Sequence, residues 1–574
     1  MRPPCTRLLR VLLGLSALLL AASVPAAPIE LVDVTMAWGI DFVHHAGVTG
    51  RYYMVETNGG GVVAFDYDDD GDDDLFFADG RNLLPDNDTD AGVSDGPGSR
   101  LYRNDGVGHG GRFVDVTERS GLAVDVYASG GVAGDVDGDG DLDLYVTALG
   151  PNQLWRNRGD GTFEQVVAGV EDPLWSASAA LADTDGDGDL DLYVANYVDF
   201  RLDHNLACGD SARGLRGYCG PDVYSPEPDH FYRNEGPGPD GLPRFVEATA
   251  AVGLDVPPGA GLALAFGDLD DDGWPDLYVA NDLTPNFLLR NRGDGTFEDR
   301  SLLSGTAYGP RGRPEAGMGV ALGDFDGDGP ADVVVTNYEG ESNGLYAQRG
   351  PLLFNDQRFV AGLAQTTLRS LAFGVGAGDL DHDGDLDLVF ANGHVRENAE
   401  AFNRASRYRQ PNQVFANDGD GRFVVVAGLD RAAVSRGLAL SDLDGDGDLD
   451  LVITNVDEAP EVYRNASRPA AGAEWLQVLV RRPEGARRGV GDRVTWSRPG
   501  TRAQWREVGA GASYMSQHGL AVHFGSPPLG ATDSGANTTS DDPAVAVRRG
   551  AGKPLRWIGI PSGRRLVWVL PPLL

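Results

Sequence analysis

The frame D-x-D-x-D-G-x-x-D occurs seven times, beginning at Asp66, Asp135, Asp183, Asp268, Asp324, Asp379 and Asp442. Nothing else in the chain constrains its fold as tightly, because each copy crowds carboxylates into a nine-residue loop. Two carboxylates about 4 Å apart repel by roughly 4 kcal/mol at an effective dielectric near 20, and four in one loop make about six such pairs. A loop built this way requires a cation. Carboxylates at positions 1, 3, 5 and 9, with a backbone carbonyl at position 7, supply the oxygen shell that a hard ion such as Ca²⁺ takes.

The expected metal loops are Asp66, Asp68, Asp70, Asp72 and Asp74; Asp135, Asp137, Asp139, Asp141 and Asp143; Asp183, Asp185, Asp187, Asp189 and Asp191; Asp268, Asp270, Asp272, Trp274 and Asp276. The last three are Asp324, Asp326, Asp328, Pro330 and Asp332; Asp379, Asp381, Asp383, Asp385 and Asp387; and Asp442, Asp444, Asp446, Asp448 and Asp450. Up to seven Ca²⁺ are implied, with Trp274 and Pro330 at position 7 weakening two of the sites. Position 6 is glycine throughout, which permits the sharp turn.

An EF-hand carries a bidentate Glu at position 12 and helices on both sides. Here position 12 is Phe77, Val146, Val194, Val279, Val335, Phe390 or Ile453, inside runs such as LYVT and VVVT. Such runs read as buried β-strands, so the loops join strand to strand. Around each loop the same parts recur: a Gly-rich strand entering, a Leu/Val strand leaving, a third strand ending in Arg-Asn or a near variant, and a fourth after a G-D-G turn. The loops are spaced by 69, 48, 85, 56, 55 and 63 residues. Four antiparallel strands repeated in this way form propeller blades. The fold class expected is all-β, a seven-bladed β-propeller with calcium loops and a small C-terminal β domain.

The seventh unit has three strands before residues 468–473, which read as a linker. Residues 31–35 match the fourth-strand pattern and are expected to pair with the last blade, removing the open edge. The asparagines of Arg-Asn read as Asx-turn residues. The Arg-Gly-Asp triplets at 158–160 and 292–294 belong to repeated turns, and the G-x-S-x-G at 92–96 lacks the strand–helix context of a nucleophile elbow.

Residues 1–26 carry Arg2, Arg7 and Arg10, an apolar run and small residues before a cleavage point, the pattern of a signal peptide. The propeller spans 27–467 and the C-terminal domain 474–574. Cys208 and Cys219 then form the expected disulfide of an exported chain, secreted or periplasmic, with no membrane span. Net charge is −39. The last domain is basic, leaving a strongly acidic remainder that disfavours nucleic acid as a partner.

By topology the acidic loops share one face, and the insertions at 79–99, 197–229 and 392–410 lie on the other. That face carries His44, His45, Glu56, His394, Arg396, Arg404, Arg407 and Arg409, a candidate recognition surface for an extracellular protein or glycan. No catalytic residue and no organic cofactor site is marked.

The repeats resemble FG-GAP or VCBS repeats, as in the blades of integrin α chains. The tail, through Gly489-Val-Gly-Asp-Arg-Val494, Gly511-Ala-Ser-Tyr-Met-Ser-Gln517 and His523-Phe-Gly525, resembles the ASPIC/UnbV domain of cartilage acidic protein-like chains. The resemblance implies a calcium-binding propeller with an extracellular binding role. A propeller-based glycosidase or polysaccharide lyase is the alternative. Residues 526–553, rich in Pro, Gly, Ser and Asp, read as a disordered insertion.

Overall fold

The computed structural model describes residues 29–84, 98–426, 428–481, 489–528, 543–550, 552–558 and 563–569. Residues 1–26, read above as a signal peptide, the G-x-S-x-G at 92–96 and part of the 79–99 insertion fall outside them.

Seven four-stranded antiparallel sheets follow the seven acidic loops. In blade 2, Ala128–Gly134 enters the loop, Asp143–Ala148 leaves it, and Gln153–Asn157 and Phe163–Val166 complete the sheet. The loop-exit strands are buried along their whole length, as in Asp143–Ala148 and Asp276–Asn281, which is what their continuous apolar runs require. The first strands of the sheets neighbour one another in an unbroken cycle, from Val62–Phe65 through to Ser435–Ser441 and back. Leu31–Asp33 pairs antiparallel with Glu461–Asn465, Leu31 opposite Asn465. The N-terminal strand therefore supplies the fourth strand of the seventh sheet, hydrogen-bonding an edge that would otherwise stand open.

The tail forms two further sheets. Glu474–Arg481 lies between Val522–Ser526 and Arg564–Val569, and Asp492–Ser497 lies between Gln504–Glu507 and Ala544–Arg549, which Leu555–Ile558 flanks. The strand Ala544–Arg549 corrects the expectation of a disordered segment across 526–553. Its alternating Ala-Val-Ala-Val is a half-buried strand pattern hidden among turn-forming neighbours, and Val545 and Val547 reach the tail's core. That core, with Leu476, Val478, Trp496 and Phe524, is continuous with Val63, Phe65, Leu144 and Leu190 of blades 1 to 3.

Between the two sheets, residues 509–519 enter the centre of the ring. Ser516 Oγ and Gln517 N–H bond Val62, the Gln517 side-chain oxygen accepts from Ala133 N–H, and Ala510 O accepts from Leu181 N–H. Ser513 exchanges two backbone bonds with Val320, its Oγ accepts from Val375 N–H, and His518 Nδ1 accepts from Leu440 N–H. Leu262 of blade 4 belongs to the same buried cluster as Tyr514 and Met515. The peptide thus hydrogen-bonds six blades and shares a core with the remaining one.

Candidate metal centres and the opposite face

Within each acidic loop the backbone folds inward. The glycine at position 6 holds φ between 94° and 106° in all seven copies, a region closed to ordinary side chains. Its N–H donates to the position 1 carboxylate, at 3.0 Å for Gly140 to Asp135 and 2.9 Å for Gly384 to Asp379. The position 5 N–H donates to position 3, as from Asp139 to Asp137 at 3.2 Å. These bonds gather the remaining oxygens. Those of Asp66, Asp68 and Asp70, of Asp135, Asp137 and Asp143, and of Asp268, Asp270 and Asp276 lie within 4.8 Å of one another.

Position 9 has a second duty. Both oxygens of Asp143 accept backbone N–H groups, from Val136 at 3.0 Å and Asn157 at 2.8 Å. The same pair of bonds recurs at Asp74, Asp191, Asp276, Asp332, Asp387 and Asp450. This aspartate therefore locks the loop to the third strand whether or not it also faces an ion.

The Arg of the third strand closes the outer side of three loops. Arg290 forks across Asp270 and Asp272 at 2.7 and 2.9 Å, and Arg349 across Asp326 and Asp328 at 2.6 and 2.7 Å; Arg156 spans Asp137 and Asp139 in the same way. Each fork takes one oxygen of each carboxylate; the second oxygens of Asp137, Asp139, Asp272 and Asp326 accept backbone N–H groups, whereas Asp270 Oδ1 has no donor. Blade 6 has Ala416 in this place. There Asp383 is pushed up to about 11, by burial first and then by Asp379, Asp385, Asp381 and Asp387.

The loops also pass a simple test of fit. Asp68 Oδ1, Asp270 Oδ1, Asp324 Oδ1, Asp381 Oδ2 and Asp442 Oδ1 are buried carboxylate oxygens without a hydrogen-bond donor. A buried anionic oxygen with no donor costs several kcal/mol unless a cation sits against it. Hard-oxygen donors at this spacing suit Ca²⁺.

The asparagines do more than cap turns. Asn157 Oδ1 accepts from Gly159 N–H, the expected Asx-turn. Its Nδ2 donates to Leu142 O in its own loop and to Tyr67 O, position 2 of the preceding blade's loop. The inter-blade bond repeats from Asn234 to Val136, Asn291 to Thr184, Gln348 to Leu269, Asn417 to Phe325, Asn465 to Leu380 and Asn104 to Leu443. Each acidic loop is tied to its neighbour, and the last tie returns from blade 1 to blade 7. Sequence reading missed this function, although the strict recurrence of the amide after the third strand was its signal.

The basic tail lies on this acidic face. Arg481 pairs with Asp69 at 2.6 Å, Arg549 with Asp183 at 2.7 Å, and Arg548 with Asp268 at 2.7 Å and Asp271 at 2.8 Å.

On the opposite face the insertions meet one another. Cys208 and Cys219 form a disulfide beside the hairpin of Cys208–Asp210 and Leu215–Gly217. Arg216 donates to Arg51 O, Asn398 to Arg216 O, and the Tyr52 and Tyr218 rings stand 5.1 Å apart. Of the residues named for the candidate recognition surface, His44, Glu56 and His394 lie inside the loops, as satisfied loop side chains do, and His45 is half-buried. His44 and Glu56 are buried, the latter accepting from Thr49 and Tyr218; His394 is buried with Nδ1 accepting from Arg396 N–H; and His45 pairs separately with Asp79. These residues hold backbone in place because the loops over the mouth need internal polar partners. Arg404, Arg407 and Arg409 are exposed, Arg396 is half-buried over the Phe402 ring, and Arg409 pairs with Glu458. The Arg-Gly-Asp triplets are turns, with Asp160 and Asp294 accepting from Thr162 and Thr296.

Residues 135–194, 268–335 and 324–390 match the FG-GAP-like repeat. The chain carries FG-GAP-like repeats. Cartilage acidic protein 1 of Homo sapiens and that of Xenopus tropicalis are each 28% identical over 296 residues, covering 50% of this chain and 42% of the relative. The chain thus spans less than half the length of these relatives. Among solved structures, an Agrocybe aegerita protein that recognises non-reducing terminal N-acetylglucosamine is 17% identical, covers 62% of this chain and 82% of its own, and has a TM-score of 0.38. The biofilm matrix protein Bap1 of V. cholerae is 13% identical, covers 77% and 91%, and scores 0.33. The fold of the FG-GAP-like repeats rests on their strand order. Among the described residues no helix is long and apolar enough to cross a membrane.

Proposed function

We propose that the protein is an exported calcium-binding β-propeller whose ions are structural, and that it presents its insertion face to an extracellular protein or glycan. The observation that carries the calcium reading is the set of buried, donorless carboxylate oxygens inside the repeated loops. Asp at positions 1, 3, 5 and 9 and the position 7 carbonyl would hold each ion, which supplies positive charge at the point where the loop's own donors run out. The residues themselves gather the oxygens, hold their outer sides with Arg156, Arg290 and Arg349, and tie neighbouring loops together.

The recognition reading follows from the division of the faces. The tail covers the acidic face, whereas the insertion face is unobstructed among the described residues and carries Arg404, Arg407 and Arg409. A carbohydrate-active propeller would need an acid/base pair at an open central mouth. Here the centre of the ring is filled by residues 509–519 and closed over by the insertions.

Elemental analysis of the purified chain should return several calcium ions per molecule, and a chelator should lower its melting temperature. An unchanged melting point would defeat the structural role. Binding to a glycan array or a purified partner, without release of reducing ends, should be lost on deletion of residues 396–409; retention would move recognition elsewhere.

A further inference from the structure

On the insertion face, the 392–410 insertion of blade 6 lies against the turn Tyr338-Glu339-Gly340 of blade 5, and a cavity of about 270 Å³ stands between them. That is near the lower limit of about 300 Å³ for small-molecule sites, which scales it to a single ring. Tyr338, Leu368 and Phe402 give it an apolar wall, and Glu339, Arg396 and Asn403 line it with polar groups.

The Glu339 carboxylate is well supplied with donors. Its Oε1 accepts from Ser406 Oγ at 2.7 Å and from Asn403 Nδ2 at 3.4 Å. His394 Nδ1 accepts from Arg396 N–H at 2.9 Å, so Nε2 carries the proton. That nitrogen stands 3.4 Å from the Tyr338 hydroxyl and 3.6 Å from Glu339 Oε2. With two donors bonded and a third close by, this carboxylate has little demand for a cation.

Arg396 is the reverse case. Its guanidinium stands 4.9 Å over the Phe402 ring, and among the described residues no acceptor bonds it. A Cβ on Gly217 would lie 3.2 Å from Phe402 Cζ and 3.9 Å from Arg396 Cδ, so the hairpin beside the disulfide packs directly on both. Burial raises the Tyr338 hydroxyl's pKa, and the Arg396 charge is the next influence, acting against it. The charge therefore lies close to that hydroxyl. A guanidinium stacked and pinned in this way gives up little freedom when it takes a carboxylate bidentately.

We propose that this cavity binds an acidic sugar, a hexuronate residue, with its carboxylate on Arg396, its hydroxyls on Glu339 and Asn403, and its C–H side on Tyr338. The proposal rests on the reading of the insertion face as the recognition surface and gives that face a ligand class. A neutral sugar would leave Arg396 unmatched. An amino acid zwitterion would need a carboxylate short of donors, which Glu339 is not.

Titration calorimetry on the full chain in Ca²⁺ tests this with D-glucuronic and D-galacturonic acid, against D-glucose, D-galactose and L-alanine. A uronate should bind, and the three controls should bind about tenfold more weakly or not at all. Arg396→Gln should weaken the uronate by about tenfold or more at an unchanged melting temperature. Arg404→Gln, the same loss of charge outside the cavity, should leave it unchanged. Failure of both uronates to bind, a control that binds as tightly, or an equal loss in Arg404→Gln would overturn the assignment. Array binding that is lost on deletion of residues 396–409 but survives Arg396→Gln would also overturn it, while leaving the insertion face as the recognition surface.

Discussion

At the scale of single residues, the amide after the third strand is the most economical device in the molecule. Asn291 is fully buried; its Oδ1 accepts from Gly293 at 2.9 Å and its Nδ2 donates to Thr184 O at 2.8 Å in the preceding blade. Only the first bond was legible in the sequence, since an Asx-turn spans two residues. The second bridges 107 positions and exists only once the ring is formed. Gln348 supports the reading: one methylene longer, it reaches Leu269 O at 2.7 Å and Ala331 O at 2.9 Å. Asn291→Ala leaves a buried carbonyl and a turn N–H without partners, a loss of about 2–4 kcal/mol. Asn291→Asp should cost at least as much, because it keeps the turn but sets a carboxylate oxygen against Thr184 O. Urea unfolding measures both, and a change under about 0.5 kcal/mol for alanine would remove the inter-blade bond from the account.

At the scale of elements, the blades were legible and the central peptide was not. A strand buried on both faces announces itself by a continuous apolar run, whereas 509–519, Gly-Ala-Gly-Ala-Ser-Tyr-Met-Ser-Gln-His-Gly, has no period and reads as a loop. Its small residues suit a narrow channel. A Cβ on Gly61 would stand 1.6 Å from Met515 O, and one on Gly130 2.1 Å from it. Gly130→Ala should therefore expel the peptide, seen as faster proteolysis within residues 468–473. Tyr514 is fully buried, its ring 4.9 Å from Phe373 and its hydroxyl on Asn58 O. Truncation to alanine should cost about 3–5 kcal/mol. These contacts are uncharged. High salt should screen partly exposed pairs such as Arg481 with Asp69 without detaching the tail, and salt-induced separation in sedimentation would show that charge alone holds it.

The whole molecule couples a ring, a plug and an acidic face, and part of its response to pH follows from groups far from the acidic loops. The histidines of the insertion face were legible as residues but not as buried ones, because burial there depends on three segments distant in sequence. His44 is held down to about 3 by burial, then by His45 and Arg436. His394 is held down to about 4 by burial, then by Arg396 and Arg436. Arg436 is itself buried, its guanidinium on Thr57 O, Gly393 O and Ser435 O and 4.0 Å from the Phe373 ring. It cannot move away to relieve a second positive charge. Both histidines are neutral in the folded chain and titrate near 6.5 when unfolded. The unfolded chain then gains protons first as pH falls, so stability is full above about pH 6.5 and declines below it until the folded values are reached. At pH 5 each histidine should remove about 2 kcal/mol. Urea unfolding at pH 7 and pH 5 in saturating Ca²⁺ gives the total. His394→Asn can still accept a bond from the loop but cannot take up a proton, so it should narrow the difference between the two pH values by about 2 kcal/mol. An unchanged difference would place the acid sensitivity in the carboxylates of the loops instead.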